Sequence, residues 1–285
     1  MNRLLGLQTD DGGLAYWPGG RTSVLWVSAY GGLALALAER QGVSLPTDAL
    51  DRLYRHLRNA LASTPGAAPP DNEALSARAL ALWALTLAGR PEEGHADALF
   101  AQRARMSPET RAVLALSRVA TARDQAIALL QPERGLPAQE DLWFGGAARA
   151  RAIQLLAWCR VEPDRPEVDR LLEELLALRR EGHWLTTQGN AWAMLALAEY
   201  ARRVEGERTA IAGALVWGEE RVAFELPATP HTFETTFRSV PAGAATPLWL
   251  ENPSSRRLFV QATVSGRARS RPAGAGPRLR PPAPL

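Results

Sequence analysis

The sequence predicts a mainly α-helical protein: an α/α toroid with an incomplete ring, followed by a small β-sandwich-like module. Three observations predict it. The first is a phrase that occurs twice. Gln8-Thr9-Asp10-Asp11-Gly12-Gly13-Leu14-Ala15-Tyr16-Trp17 leads into Ala29-Tyr30-Gly31-Gly32-Leu33-Ala34-Leu35, and Glu181-Gly182-His183-Trp184 leads into Ala191-Trp192-Ala193-Met194-Leu195-Ala196-Leu197. Each is a Gly-aromatic turn feeding an Ala/Leu-rich helix, and a recurring phrase marks a repeat in which each unit buries its apolar face on a neighbour. The second is helical periodicity throughout residues 1–205. The third is a switch to alternating strand pattern over 206–266.

The elements follow in order. Residues 26–40 read as a helix ending at Gln41-Gly42, and Pro46-Thr47 opens the next. There Leu50, Leu53, Leu57 and Leu61 keep helical spacing, and Asp51/Arg55 supports the outer face. The stretch 64–70 is a Pro/Gly loop. Asn72 is the expected cap of a long helix over 73–88, buried on most sides. Ser107-Pro108-Glu109 is a strong helix start, with a hydroxyl cap and then proline at the first helical position. Thr121 with Asp124 marks another start. Helices over about 145–160, 166–180 and 188–204 follow. Alanines recur on alternate helices (Ala79, Ala81, Ala84; Ala147, Ala150, Ala157; Ala191, Ala193, Ala196) and allow close approach, as an inner ring requires.

After Glu207 come about five expected strands: 211–217, 221–226, 232–237, 247–250 and 257–264. The Pro/Gly/Arg-rich tail, 267–285, is expected to be disordered.

Composition excludes several function classes. The 285 residues contain no lysine, and all 33 basic side chains are arginine. Five of these follow Gly266, leaving 28 ahead of it against all 30 carboxylates. The net charge of +3 is therefore a property of the tail, and no basic stripe with interleaved aromatics points to nucleic acid. One cysteine excludes an internal disulfide, and Cys159 lies in an apolar helical run as a core side chain. No apolar stretch reaches the length of a membrane span, and the first residues lack a signal-peptide core.

No HExxH, CxxC, G-x-S-x-G or P-loop pattern is present, so no catalytic residue, metal site or cofactor is assigned. His56 and His95 read as exposed helix residues and His183 as part of an aromatic turn. Asp10-Asp11 reads as an organiser of the Gly12-Gly13 turn. The aromatic group Tyr16, Trp17, Trp26, Tyr30 and Trp184 is the candidate binding set, a groove at one end of the ring, with stapling of loops onto helices as the structural alternative.

These residues resemble a known family. Gln8-x-x-Asp11-Gly12-Gly13-x-x-Tyr16-Trp17-Pro18-Gly19-Gly20 with Trp26-x-x-Ala29-Tyr30 is similar to the thioester-containing domain of the bacterial alpha-2-macroglobulins. So are Met106-Ser107-Pro108-x-x-Arg111-Ala112-x-Leu114 and Trp184-x-x-Thr187-Gln188-x-Asn190-Ala191-Trp192-Ala193-x-Leu195. Pro247–Pro253 and Val260–Gly266 resemble the strand region that follows. The resemblance covers about residues 3–266.

It implies part of an endopeptidase inhibitor: an exported protease trap of the bacterial periplasm or cell envelope, whose internal Cys–Gln thioester acylates the attacking protease. The five aromatics would then rim the thioester pocket, and the partners would be proteases and the family's N-terminal domains. Two departures bear on this. Cys159 is followed by Arg160-Val161-Glu162, so the Cys-x-Glu-Gln motif is absent, and Gly189 stands where a glutamate is usual. The resemblance therefore implies a C-terminal piece that begins after the motif, lacks the first helices of the ring, exposes an apolar face and cannot trap covalently on its own. Two alternatives remain. Gln8-x-x-Asp11-Gly12 also fits the toroidal terpene cyclases and prenyltransferases, which need a dry acidic cavity, and helical repeats also serve as non-enzymatic binding modules.

Overall fold

The computed structural model describes residues 2–63, 71–131, 146–204, 210–228, 231–237, 247–254, 258, 260, 262 and 263. The expected tail, the loop over 64–70 and half of the expected strand over 257–264 lie outside these. The chain divides into two compact units, Met1–Gly206 and Glu207–Leu285.

In the first unit, α1 (Asn2–Leu5) precedes the Gly-rich turn, and α2 (Leu25–Arg40), α3 (Thr47–Ala62) and α4 (Asn72–Leu87) follow. Then come α5 (Glu93–Phe100), a 3₁₀ turn over Arg103–Arg105, α6 (Pro108–Arg118), α7 (Arg123–Leu130), α8 (Ala147–Val161), α9 (Pro166–Ala177) and α10 (Thr187–Arg203). The helices form two layers. α2, α4, α6, α8 and α10 pack each on the next as an inner series. Outside them, α3 lies against α2 and α4, α5 against α4 and α6, α7 against α6 and α8, and α9 against α8.

Composition explains which helix goes where. Inner α4 is buried from Leu75 to Leu85 with few interruptions, and every residue of α6 from Glu109 to Arg118 is buried. Outer α3 instead buries one stripe, Leu50, Leu53, Tyr54, Leu57 and Leu61, and turns Asp48, Arg52 and Arg55 outward. Small residues let the Gly-rich turn and outer α3 come close to α2. A Cβ on Gly31 would meet Leu14 Cδ1 at 2.3 Å, and one on Gly32 would meet Leu57 Cδ1 at 3.1 Å, so neither site has room for a larger side chain.

The expected start of α6 is present: Ser107 Oγ accepts from Thr110 N at 3.1 Å and Pro108 takes the first helical position. Two expected caps differ. Asp71, not Asn72, caps α4, accepting from Ala74 N at 2.8 Å. Asn72 Oδ1 accepts from Ser107 N at 2.8 Å and so ties the starts of two inner helices together. Thr121 does not cap α7. Its N–H closes the end of α6 by donating to Arg118 O, and α7 begins after Ala122 with no side-chain cap.

The second unit contains a three-stranded antiparallel sheet in the order β2-β1-β3, formed by β1 (Ile211–Trp217), β2 (Glu220–Leu226) and β3 (Leu248–Glu251). β1 and β2 form a hairpin that pairs Trp217 with Glu220. The expected strand over 232–237 is not in a ladder. Its aromatic side chains pack instead on the sheet: Phe233 lies 5.6 Å from Phe224 and Phe237 lies 5.7 Å, edge-on, from Trp217. Register places Phe224 and Trp217 on the same face, so two rings satisfy this segment where a strand would need a free edge.

Candidate functional site

The inner helices converge on a cluster of rings. Trp26 and Tyr30, one turn apart on α2, stack at 5.2 Å between centroids. Tyr30 meets Trp192 of α10 at 6.2 Å, and Trp192 meets Trp83 of α4 at 5.8 Å. The first and last helices of the inner series therefore touch through side chains. Polar groups lace this cluster. Trp192 Nε1 donates to Gln188 Oε1 at 3.2 Å, and the Arg149 guanidinium of α8 lies 5.9 Å from the Trp192 ring. Arg149 pairs with Glu109 of α6 at 2.5 Å, with both side chains almost wholly buried. Burial pushes the Tyr30 phenol up, against the opposing influence of Gln188, Arg149 and Trp192. Tyr30 thus stays a neutral hydrogen-bonding group.

The Gly-rich turn before α2 is a clamp. Asp11 accepts from Thr9 Oγ1 at 2.6 Å, from Gly13 N at 3.0 Å and from Ser23 Oγ at 2.7 Å, with His56 Nδ1 at 3.5 Å. Partial burial works against ionisation, but the donors from Ser23, Thr9 and Gly13, with His56, outweigh it and hold the carboxyl at about 2. Gln8 Nε2 donates to Gly12 O and Ala49 O, each at 2.9 Å, and its Oε1 accepts from Arg52 at 2.8 Å. Gly12 is required here: its φ is +85°, and a Cβ would lie 2.6 Å from Arg52 O. The expectation of an exposed His56 is corrected, because its side chain is tucked against Asp11 on the inner side of α3.

The five candidate aromatics separate into three places. Trp26 and Tyr30 belong to the ring cluster. Tyr16 and Trp17 are exposed on the turn, Trp17 at 78%. Trp184 is buried against α9, where its Nε1 donates to Leu175 O at 2.7 Å and Arg179 covers its ring. Trp83 and Arg149 were not singled out from sequence, and Gln188 entered only as part of the family-like phrase. Trp83 read only as helix core and Glu109 only as a helix start, and their meeting is a long-range event.

Towards the C-terminal ends of α8 and α10, Glu199 is held by three guanidinium groups: Arg160 at 3.2 Å, Arg202 at 2.5 Å and Arg203 at 3.2 Å, and Arg160 also lies 5.9 Å from the Trp83 ring. Burial opposes its ionisation, yet Arg160 and Arg202 hold its carboxyl below the usual range. Nearby Cys159 is fully buried, and burial, with Glu199, pushes its thiol up to about 12. Among the described residues, no group of three or more His, Cys, Asp or Glu is placed to hold a metal. No helix among them is long and apolar enough to cross a membrane.

No protein-family model matches the sequence. An alpha-2-macroglobulin homolog of Nostoc sp. (strain PCC 7120) is 34% identical over 220 residues, 71% of this chain and 11% of that protein. Alpha-2-macroglobulin of Escherichia coli K12 is 32% identical over 207 residues, 66% of this chain and 12% of that protein. The chain belongs to the bacterial alpha-2-macroglobulin family.

Solved structures agree in fold. Native E. coli alpha-2-macroglobulin from domain MG7 to the C-terminus matches 80% of this chain and 38% of its own length, with a TM-score of 0.62 and 22% identity. Salmonella alpha-2-macroglobulin reacted with methylamine matches 79% of this chain and 16% of its own length, with a TM-score of 0.61 and 23% identity. The chain spans about a ninth of the length of the curated relatives it matches.

Proposed function

We propose that this chain supplies the thioester-domain-like helical unit, residues 1–205, and the β module, residues 206–266, of an alpha-2-macroglobulin-like endopeptidase inhibitor of the bacterial envelope. On this reading the helical unit is an incomplete α/α ring, and the proteins it meets are proteases, through the larger inhibitor. It contributes to trapping without forming the acyl bond itself. The observation that carries the non-covalent role is Cys159: a fully buried thiol pushed up to about 12, inside α8 and followed by Arg160-Val161-Glu162 rather than by a glutamine partner. A thiol held protonated in the core cannot be the acyl carrier. Tyr30, Trp26 and Trp192 would form the floor of the aromatic pocket, and Tyr16, Trp17 and Trp184 would belong to the loops around it.

The cyclase alternative asks for an open, carboxylate-lined hub. The centre here is filled by contact between Trp83 and Trp192 and by the Glu109–Arg149 pair, which supports the inhibitor reading.

Elastase incubated with the chain tests the proposal. The expected result is no adduct that survives denaturing electrophoresis and a native thiol that reacts with a disulfide reagent only after unfolding. A protease–chain adduct lost in the Cys159→Ala variant would overturn it.

A further inference from the structure

The inner helices α2, α8 and α10 each end in arginine: Arg40, Arg160, and Arg202 with Arg203. Among the described residues, Glu199 is the carboxylate these groups share. Arg160 Nε, one terminal nitrogen of Arg202 and Arg203 Nε all meet the same atom, Glu199 Oε1. Arg40 reaches the group through its charge. Burial first, then Arg202 and Arg40, oppose the charge on Arg160, which Glu199 supports. The acids nearest in sequence are engaged elsewhere. Glu39 accepts from the Tyr54 hydroxyl at 3.5 Å, and Glu162 pairs with Arg165 at 3.1 Å and Arg123 at 3.6 Å.

The other inner helices end in balance. Arg118, buried at the end of α6, sits between Glu93 and, at 2.7 Å, Asp97, and Arg90, just after α4, pairs with Asp51. At the ends of α2, α8 and α10 positive charge is in excess. Each helix C-terminus carries about −0.5 charge and Glu199 a full one, so about +1.5 of the four guanidinium charges stays uncompensated. An anion of one to two charges would balance it.

Geometry narrows the choice of anion. Arg160, Arg202 and Arg203 each spend one nitrogen on Glu199 Oε1, which leaves the rest of each planar fork for a second acceptor. Arg160 is the fixed member: its side chain is only 21% exposed and lies 5.9 Å from the Trp83 ring. Arg202 and Arg203 are about half exposed and open to a ligand. A phosphate monoester offers three strong acceptor oxygens and nearly two charges, so it can take N–H groups from several forks at once, where a flat carboxylate offers two oxygens and one charge.

We propose that the ends of α2, α8 and α10 form a binding site for a phosphate monoester, held by Arg40, Arg160, Arg202 and Arg203, with Glu199 keeping the forks in place. The group can come from a small soluble compound or from a lipid headgroup. The proposal stands on the arginines alone and does not depend on the inhibitor reading.

Isothermal titration calorimetry on the full chain, at fixed ionic strength, tests it with glycerol phosphate, sulfate and acetate. Glycerol phosphate should bind at one site, at least tenfold more tightly than acetate, and sulfate, also tetrahedral and doubly charged, should compete with it. Arg202→Gln with Arg203→Gln should weaken binding at least tenfold, and Arg40→Gln several-fold. Arg58→Gln, the same loss of charge on α3, should leave it unchanged, and circular dichroism checks that the helices persist in every variant. Cosedimentation with phosphatidic acid vesicles separates the two sources. Pelleting that glycerol phosphate competes away assigns the lipid headgroup, and calorimetric binding without pelleting assigns the soluble compound. No binding of glycerol phosphate, equal binding of acetate, indifference to the arginine variants, or an equal loss in Arg58→Gln would each overturn the proposal.

Discussion

The buried Glu109–Arg149 pair gives the sharpest stability prediction. Both side chains are about 95% shielded from water, their charges meet at 2.5 Å, and Arg149 also covers the Trp192 ring. Glu109→Gln leaves the Arg149 guanidinium buried beside a neutral amide. Breaking a buried pair from one side costs about 3–5 kcal/mol, most of it the solvation the remaining charge has lost. In a unit of about 200 residues each kcal/mol moves the midpoint by about 2–4 °C, so the expected drop is about 6–20 °C.

Glu109→Leu combined with Arg149→Met removes both charges and keeps the volume. It should recover most of the loss, because the pair's attraction is roughly offset by its desolvation. Urea unfolding followed by far-UV circular dichroism on wild type, Glu109→Leu, Arg149→Met and the double variant closes the cycle, with Glu109→Gln measured beside it. A Glu109→Gln loss under about 1 kcal/mol, or a double variant no better than Glu109→Gln alone, would show that the pair is hydrated and that the hub is looser than its geometry indicates.

Two other outcomes follow from the turns. Asp11 is held at about 2, below an unfolded aspartate near 3.9, so its contribution is complete above pH 4 and is lost as the pH falls through 2. Asp11→Asn should flatten the acid limb of the stability profile between pH 4 and 2, by a modest amount because half of the side chain meets water; an unchanged limb counts against the clamp. Trp184→Phe keeps a ring but orphans the buried Leu175 carbonyl, at a cost of about 1–3 kcal/mol. Amide exchange should accelerate over residues 180–186, and equal protection would show that the indole bond does not hold this loop.

Local signals carried much of the fold. The Leu50–Leu61 stripe of α3, the Ser107-Pro108 start of α6 and the Ala/Leu runs of the inner helices each encode their element within a few residues, because spacing and capping are short-range physics. Failures came where a residue answers a distant partner. Asn72 reads as a cap, but it is the first residue of α4 and its side-chain oxygen accepts from Ser107 N, 35 residues away. His56 looks like a surface residue of an outer helix, yet it faces Asp11, which the Gly12-Gly13 turn carries to it. The strand pattern of 232–237 is real, but no sheet edge receives it, and its aromatics settle on Phe224 and Trp217. The aromatic set was legible as residue types, while its division into a hub pair, an exposed turn and a staple on α9 depends on helix packing that spacing does not encode.

The indoles of Trp83 and Trp192 are inclined by only 30° and belong to helices more than a hundred residues apart in sequence. Two such chromophores in contact share their electronic excitation, so the pair should leave a signed doublet in ultraviolet circular dichroism that neither ring produces alone. The fold thereby carries an optical gauge of its own closure, one that dims as soon as the last inner helix draws away from the second.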